Sequence, residues 1–425
     1  MGLSERDRKV IWHPYTQMQT AGLPVPIVRG EGARLYDEEG NEYIDAIASW
    51  WVNTHGHAHP YIAEKVAVQL SKLEHVIFAG FTHEPAVELA ERLLKVLPPN
   101  QSRVFYSDNG STAVEVGIKM ALQYWHNRGE KKQKIIVLSN SYHGDTFGAM
   151  SASVRDLFTE PFWDLLFDVL CVDAPVKGKE IKALEQLADA AERDDIAAFV
   201  FEPLLQGAGG MIMYDAGPLD NMIGICKQKG IPTVADEVLT GFGRTGKFFA
   251  SDYLANKPDI ICMSKGLTGG TMALGATSCT AGIYDGFLSG DKRKSFFHGH
   301  SYTGNPVACA AALASLDLFD RKETWDNVVR IIGRQKDFVT GIASHHRVRN
   351  ARQTGTIIAF DVVNGKETSY LNDLRDWMND YCVNRRIIIR PLGNVMYLIP
   401  PYCITDNELD RVYSTLRSML DDIES

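Results

Sequence analysis

The stretch from residue 103 to 280 repeats one unit: a short, nearly all-apolar run, then a longer segment with helical periodicity. The runs are RVFYS (103–107), KIIVLS (134–139), IAAFVFEP (196–203), IPTVADE (231–237) and DIICMSK (259–265). Strands that are apolar on both faces need both faces covered, and helical connections between them supply the cover. Between the first two runs, Val114, Ile118, Ala121, Leu122 and Trp125 recur at offsets 0, 4, 7, 8 and 11, which predicts an amphipathic helix. The expectation is an α/β domain with a mostly parallel sheet covered by helices.

The ends of the chain read differently. Residues 21–49 alternate in polarity with a turn signal at Glu39-Gly40-Asn41, which predicts an antiparallel meander. Beyond about residue 318 a helix-rich stretch leads to short strands around GTIIAFDVV, IIIRPLG and VMYLIPPY, and then to a final helix. We expect residues 1–49 and 319–425 to combine into a smaller α+β domain, and residues 50–318 to form the large one.

Bulk properties narrow the function. The net charge is −9, and no Lys/Arg block of nucleic-acid type appears, EKKQK at 130–134 being short, which argues against a nucleic-acid partner. No window reaches the ~18 uninterrupted apolar residues of a membrane span, and the first residues carry no apolar signal core. The seven cysteines are scattered and never in C-x-x-C spacing, as expected for reduced thiols in a cytoplasmic protein.

Ligands of such sheets bind at the carboxyl ends of the strands. Three runs end there on Glu202, Asp236 and Lys265, and a fourth enters a helix through Asp108-Asn109-Gly110-Ser111. Alone, a lysine before the Gly/Thr-rich GLTGG is most often solvated. Acid, acid, lysine and a helix N-terminus at one sheet edge together suit pyridoxal 5'-phosphate. That cofactor requires an amine for a Schiff base, a carboxylate at its ring nitrogen and an anion site for its phosphate. Lys265 supplies the amine, Asp236 the carboxylate, and Gly110 and Ser111 the phosphate site. Tyr142, in SYHGDTFG, is placed to stack on the ring.

Two other motifs carry less. GFGRTGK (241–247) has the glycines and lysine of a phosphate-binding loop, but Phe248 stands where the magnesium-binding Ser/Thr belongs. HGHAH puts His55, His57 and His59 at metal-ligand spacing, yet Gly56 and Pro60 favour a turn into a helix starting near Tyr61.

The motifs DNGSTAVEVGIKMA, SYHGDTFGAMS, EPLLQGAGGM, ADEVLTGFGRTGKFFA and DIICMSKGLTGG, in that order, resemble the class III (ω-type) aminotransferases of the fold-type I pyridoxal-phosphate superfamily. The resemblance covers nearly the whole chain. It implies that Lys265 bears the cofactor and later moves the proton, that Asp236 pairs with the ring nitrogen, and that Tyr142 stacks on the ring. It also implies a homodimer in which His300 and Ser301, from FHGHSYTGNP, complete the partner's phosphate site. Further resemblance through IWHPYTQM, SWWVNTHGH and IIIRPLGNVMYLIPPY implies small-molecule substrates of biotin biosynthesis. The acceptor would be 8-amino-7-oxononanoate and the donor S-adenosyl-L-methionine, with lysine as the alternative donor. Tyr15, Trp50, Tyr142, Gly299 and Arg390 then match substrate-binding positions, with Arg244 and Asp145 nearby. Leu239 replaces a glutamine frequent after DEV in the class, which argues against ornithine- or aminobutyrate-type substrates.

Overall fold

The N-terminal meander forms as expected. In the computed structural model, which describes residues 2–423, it consists of β1 (Ile27–Glu31), β2 (Arg34–Asp37) and β3 (Glu42–Asp45), paired antiparallel in that order. Its β2–β3 turn is closed by the Asp37 carboxylate, which accepts the N–H groups of Glu39 at 3.1 Å and Asn41 at 2.8 Å.

The apolar runs build the large sheet. Its strands include β4 (Gln101–Ser107), β5 (Lys134–Leu138), β6 (Val169–Val172) and β7 (Ile196–Phe201). A small ladder follows, β8 (Leu205–Gln206) with β9 (Ile212–Met213), and then β10 (Thr233–Asp236), β11 (Ile260–Met263) and β12 (Gly275–Thr280) return to the sheet. The order is β4-β12-β11-β10-β7-β5-β6. Only β12 runs against the others, pairing antiparallel with both β4 and β11.

Strand alternation divides the core. Ile135, Val137, Ala198, Val200, Val234 and Ile260 face the helix Gly110–Asn127, whose Val114, Ile118 and Ala121 are buried against them. Ile136, Leu138, Phe199, Phe201, Ala235 and Ile261 face the opposite way, toward the helices Glu84–Val96, Glu180–Ala191 and Ala216–Gln228. Each large apolar side chain so buried contributes about 1.5–3 kcal/mol.

Sequence reading overlooked β6 and β12. The sequence of β12, GATSCT, is polar, but its hydroxyls are satisfied: Thr277 Oγ1 donates to the Ala113 carbonyl at 2.7 Å and Ser278 Oγ to Gln101 Oε1 at 2.7 Å. Toward the C-terminus, β13 (Val348–Thr354), β14 (Ile357–Val362) and β16 (Val395–Leu398) make a three-stranded sheet. Between the last two, β15 (Ile387–Ile388) crosses to the N-terminal meander and pairs parallel with β3, Ile387 opposite Ile44. The chain ends thus share one sheet, and the residues after β15 arrive beside those after β3. Among the described residues no helix is long and apolar enough to cross a membrane.

Candidate active site

The carboxyl ends of β4, β7, β10 and β11 open on a single cavity of about 450 Å³. Gly110, Ser111, Tyr142, Asp145, Asp236 and Lys265 line it, as does Glu202. These sequence candidates are therefore brought together, from positions up to 155 residues apart (265 − 110).

One end of the cavity is built for an anion. Asn109 caps the helix Gly110–Asn127: its Oδ1 accepts the Thr112 N–H at 3.0 Å, and Thr112 Oγ1 accepts the Asn109 N–H at 3.1 Å. The first N–H groups of a helix have no partner within it, and here Gly110 and Ser111 present theirs to the cavity with the positive end of the dipole. Gly110 is required by close approach, since a Cβ there would lie 2.7 Å from Val238 Cγ1. Ser111 Oγ is held 2.8 Å from Thr146 Oγ1, and Thr146 in turn donates to Glu115 at 2.8 Å.

At the other end, Lys265 opens a single 3-10 turn (Lys265–Thr268) just past β11. Its stem is half-buried, and its amine packs 5.0 Å over the ring of Trp51 instead of on a carboxylate. Burial lowers the amine's pKa, and the charges of Asp236 and Glu202 oppose the shift only in part. Asp236, at the end of β10, is fixed by two bonds: from His143 Nδ1 at 2.8 Å and from the Val238 N–H at 3.0 Å. Burial alone would push His143 down, but its bond to Asp236 and the nearby charge of Glu202 raise its pKa, favouring the protonated ring. The Glu202 carboxyl is pushed up by burial despite accepting the N–H groups of Gly207 at 2.9 Å and Tyr142 at 3.2 Å.

The outer rim comes from distant segments. Tyr15, held at φ 51°, reaches over to Tyr142 Oη at 3.2 Å and to Asp145. Burial and the Asp145 bond raise the Tyr15 hydroxyl's pKa, so it is a donor. Its ring meets Trp50 edge-on at 5.7 Å. The Arg390 guanidinium lies 5.0 Å over Trp50, and its buried Nη2 has no hydrogen-bond partner. A charged group left unpaired beside a cavity is poised for an anionic ligand.

Other candidates lie elsewhere. Arg244 is buried beneath the cavity and is not among its lining residues. Its guanidinium donates to the Pro400 carbonyl at 2.7 Å and the Trp51 carbonyl at 3.4 Å, and stacks 5.0 Å over Tyr402. Gly299, His300 and Ser301 are likewise outside the cavity lining of their own chain. Gly299 and Ser301 are exposed, the Ser301 carbonyl accepts from His75, and His300 Nε2 is buried without a partner. Of the HGHAH histidines, His55 bonds Ser315 at 3.1 Å and His57 bonds Asp45 at 2.8 Å, while His59 meets the His55 ring edge-on at 6.5 Å, and the helix beyond them begins at Pro60. The Trp51 indole N–H donates to Tyr397 Oη at 3.0 Å while its ring floors the cavity, so of the adjacent pair in SWWVNTHGH it is Trp51 that meets Lys265. Sequence reasoning missed His143 and Thr146 and took Asn109 only as part of the entry to the helix. Each adjoins a residue already singled out (Tyr142, Asp145 and Gly110), the one signal that could have found them.

The cavity fits pyridoxal 5'-phosphate. It has a lysine with a depressed pKa, a carboxylate fixed by a buried histidine, and a helix N-terminus at a glycine packed too close to Val238 to take a side chain without a shift. These features define a cofactor-dependent amino-group transferase. Residues 15–420 match the sequence profile of the family described as aminotransferase class-III, and the chain belongs to that family. It is 46% identical over 424 residues to the adenosylmethionine-8-amino-7-oxononanoate aminotransferase of Synechococcus elongatus, covering 97% of this chain and 99% of that one. Its structure is similar to that of the enzyme of the same name from Methanocaldococcus jannaschii, with a TM-score of 0.95, 34% identity and coverage of 100% and 99%. It is also similar to a PLP-bound amine transaminase from an uncultivated Pseudomonas species, with a TM-score of 0.91, 30% identity and coverage of 97% and 98%.

Proposed function

We propose that this chain transfers an amino group from S-adenosyl-L-methionine to 8-amino-7-oxononanoate, giving 7,8-diaminononanoate in biotin biosynthesis. The observation that carries the reading is the unpaired Arg390 guanidinium stacked on Trp50 beside the cavity that Lys265 lines. Both substrates bear a carboxylate for that arginine. Relatives named adenosylmethionine-8-amino-7-oxononanoate aminotransferase, those of Synechococcus elongatus and Methanocaldococcus jannaschii among them, match the chain over nearly its full length.

When bound, pyridoxal 5'-phosphate supplies the carbonyl that takes up and releases the amino group and the ring that holds the electron pair between. The chain's own residues do the rest. Lys265 Nζ holds the cofactor and then carries the proton between substrate carbon and cofactor carbon, a task suited to an amine of lowered pKa. His143 holds the Asp236 carboxylate in place to face the ring nitrogen. Gly110 and Ser111 bind the phosphate, and Tyr142 covers the ring. Tyr15, Trp50 and Arg390 orient the substrate, with Asp145 bonding Tyr15. Arg244 acts indirectly, by fixing the backbone of Trp51. One site used by two unlike substrates in turn gives ping-pong kinetics.

His300, Ser301 and Gly299 serve the cavity of a second copy, so the working unit is a cytoplasmic homodimer. Residues 1–49 and 319–425 act as one small domain against the large domain of 50–318, a division supported by the β3–β15 pairing.

The test is an absorption spectrum of the protein with pyridoxal 5'-phosphate, before and after S-adenosyl-L-methionine is added without acceptor. The expected result is a visible band that converts to a near-ultraviolet one. A band that converts with lysine and not with S-adenosyl-L-methionine overturns the donor. No band overturns the cofactor site.

A further inference from the structure

Beyond Tyr15 and Trp50 the rim continues through two rings that no sequence motif singled out. Tyr15 meets Phe158 edge-on at 5.9 Å and 76°, and Phe158 meets Tyr370 at 4.6 Å and 75°. Four aromatic rings from four separate chain segments thus form one row, joined to the cavity where Tyr15 bonds Tyr142 and Asp145 of its lining. The row is not core: Tyr15 and Trp50 are 38% and 41% exposed, and Phe158 and Tyr370 are half-buried. Edge-on contacts satisfy one ring's face while leaving others open. Rings left partly open beside a binding cavity mark a surface that a ligand covers.

Tyr370 is delivered there by the turn that carries Arg390. Gly393, at φ 61°, lets residue 369 pack directly on that turn, where a Cβ would fall 1.7 Å from the Ser369 carbonyl oxygen. Asn394 then accepts the Ser369 N–H at 3.2 Å and donates to Thr368 Oγ1 at 3.2 Å. One turn therefore sets both the arginine for the carboxylate and the outermost ring of the row.

We propose that Phe158 and Tyr370 are specificity-determining residues that seat the planar heteroaromatic ring of a nucleoside-bearing amino donor, favouring it over a linear amine. The chemistry is that of stacking on exposed aromatic faces, to which a sulfonium cation is also attracted. A linear donor presents no flat surface to the row. The inference rests on the donor reading given under Proposed function.

The test uses the cofactor-loaded enzyme and two amino donors: S-adenosyl-L-methionine, and 7,8-diaminononanoate running the acceptor half-reaction backwards as a linear, carboxylate-bearing amine. Half-saturation and limiting rate are read from loss of the visible band, and adenosine binding is measured independently by calorimetry. Tyr370→Ala and Phe158→Ala are each expected to raise half-saturation for S-adenosyl-L-methionine about tenfold and to weaken adenosine binding in parallel. The limiting rate and the half-saturation for the diamine should move less than about twofold, a split that general loosening of the fold would not produce. Tyr370→Phe, which keeps the ring, should restore near wild-type values. If wild-type enzyme reacts with S-adenosyl-L-methionine but the variants bind it normally, or lose both donors equally, this inference alone is overturned. If the wild type fails to react with S-adenosyl-L-methionine yet reacts with the diamine, the donor reading falls and takes this inference with it.

Discussion

Lys265 shows what one residue gains from its surroundings. Its pKa lies below the ordinary 10.5 because burial disfavours the charged amine. Between the folded and unfolded pKa values the unfolded state holds the extra proton, so the residue's stabilising contribution is complete above 10.5 and is lost as pH falls through the folded value. Lys265→Met removes that titration. The cofactor-free variant should melt above wild type near neutral pH, and the gap should close as pH rises toward 10.5. Scanning calorimetry across that range checks this, and a gap that widens with pH would contradict it. The same variant should show no visible band with pyridoxal 5'-phosphate. Arg390→Ala should raise KM for carboxylate-bearing substrates tenfold or more, since a charged hydrogen bond is worth about 1.5–3 kcal/mol. Unchanged KM values for both substrates would remove Arg390 from the site.

At the scale of elements, the site depends on where strands stop and one helix starts. The helix Gly110–Asn127 buries one face on the large sheet, and its free end is pressed against Val238 by the absence of a side chain at Gly110. Gly110→Ala overpacks that contact by about 1–3 kcal/mol. Cofactor affinity measured by equilibrium titration should drop about tenfold or more, while far-ultraviolet circular dichroism stays unchanged. The pairing of β15 with β3 works at the other end of the cavity, because it brings Arg390 beside the strained segment that carries Trp50 and Trp51.

At the scale of the molecule, one chain encloses the lysine and the helix N-terminus but leaves His300 and Ser301 outside its own cavity. If those residues serve a second copy, two defective chains can repair each other. Lys265→Ala mixed with a His300→Ala/Ser301→Ala double variant, unfolded and refolded together, should regain about a quarter of wild-type activity. Half the dimers are then mixed, and each has one intact site. Each variant refolded alone should stay inactive. No recovery in the mixture, with dimers seen by sedimentation, would place the loop outside the partner's site.

The sequence alone determined the sheet-and-helix alternation, because a strand buried on both faces must be apolar throughout, as IAAFVF at 196–201 is. It also marked Glu202, Asp236, Lys265 and Gly110 as neighbours, since strand ends in such a sheet converge on one edge. Tertiary structure decided what local pattern cannot carry. Polar β12 is a strand only because its hydroxyls find partners at Ala113 and Gln101. Trp51 and not Trp50 floors the cavity because the backbone after β3 twists through positive φ at Ala48, Ser49 and Trp51. His143 is a partner of Asp236 from 93 residues away. Period and propensity describe a residue's neighbours along the chain, whereas these three depend on neighbours across it.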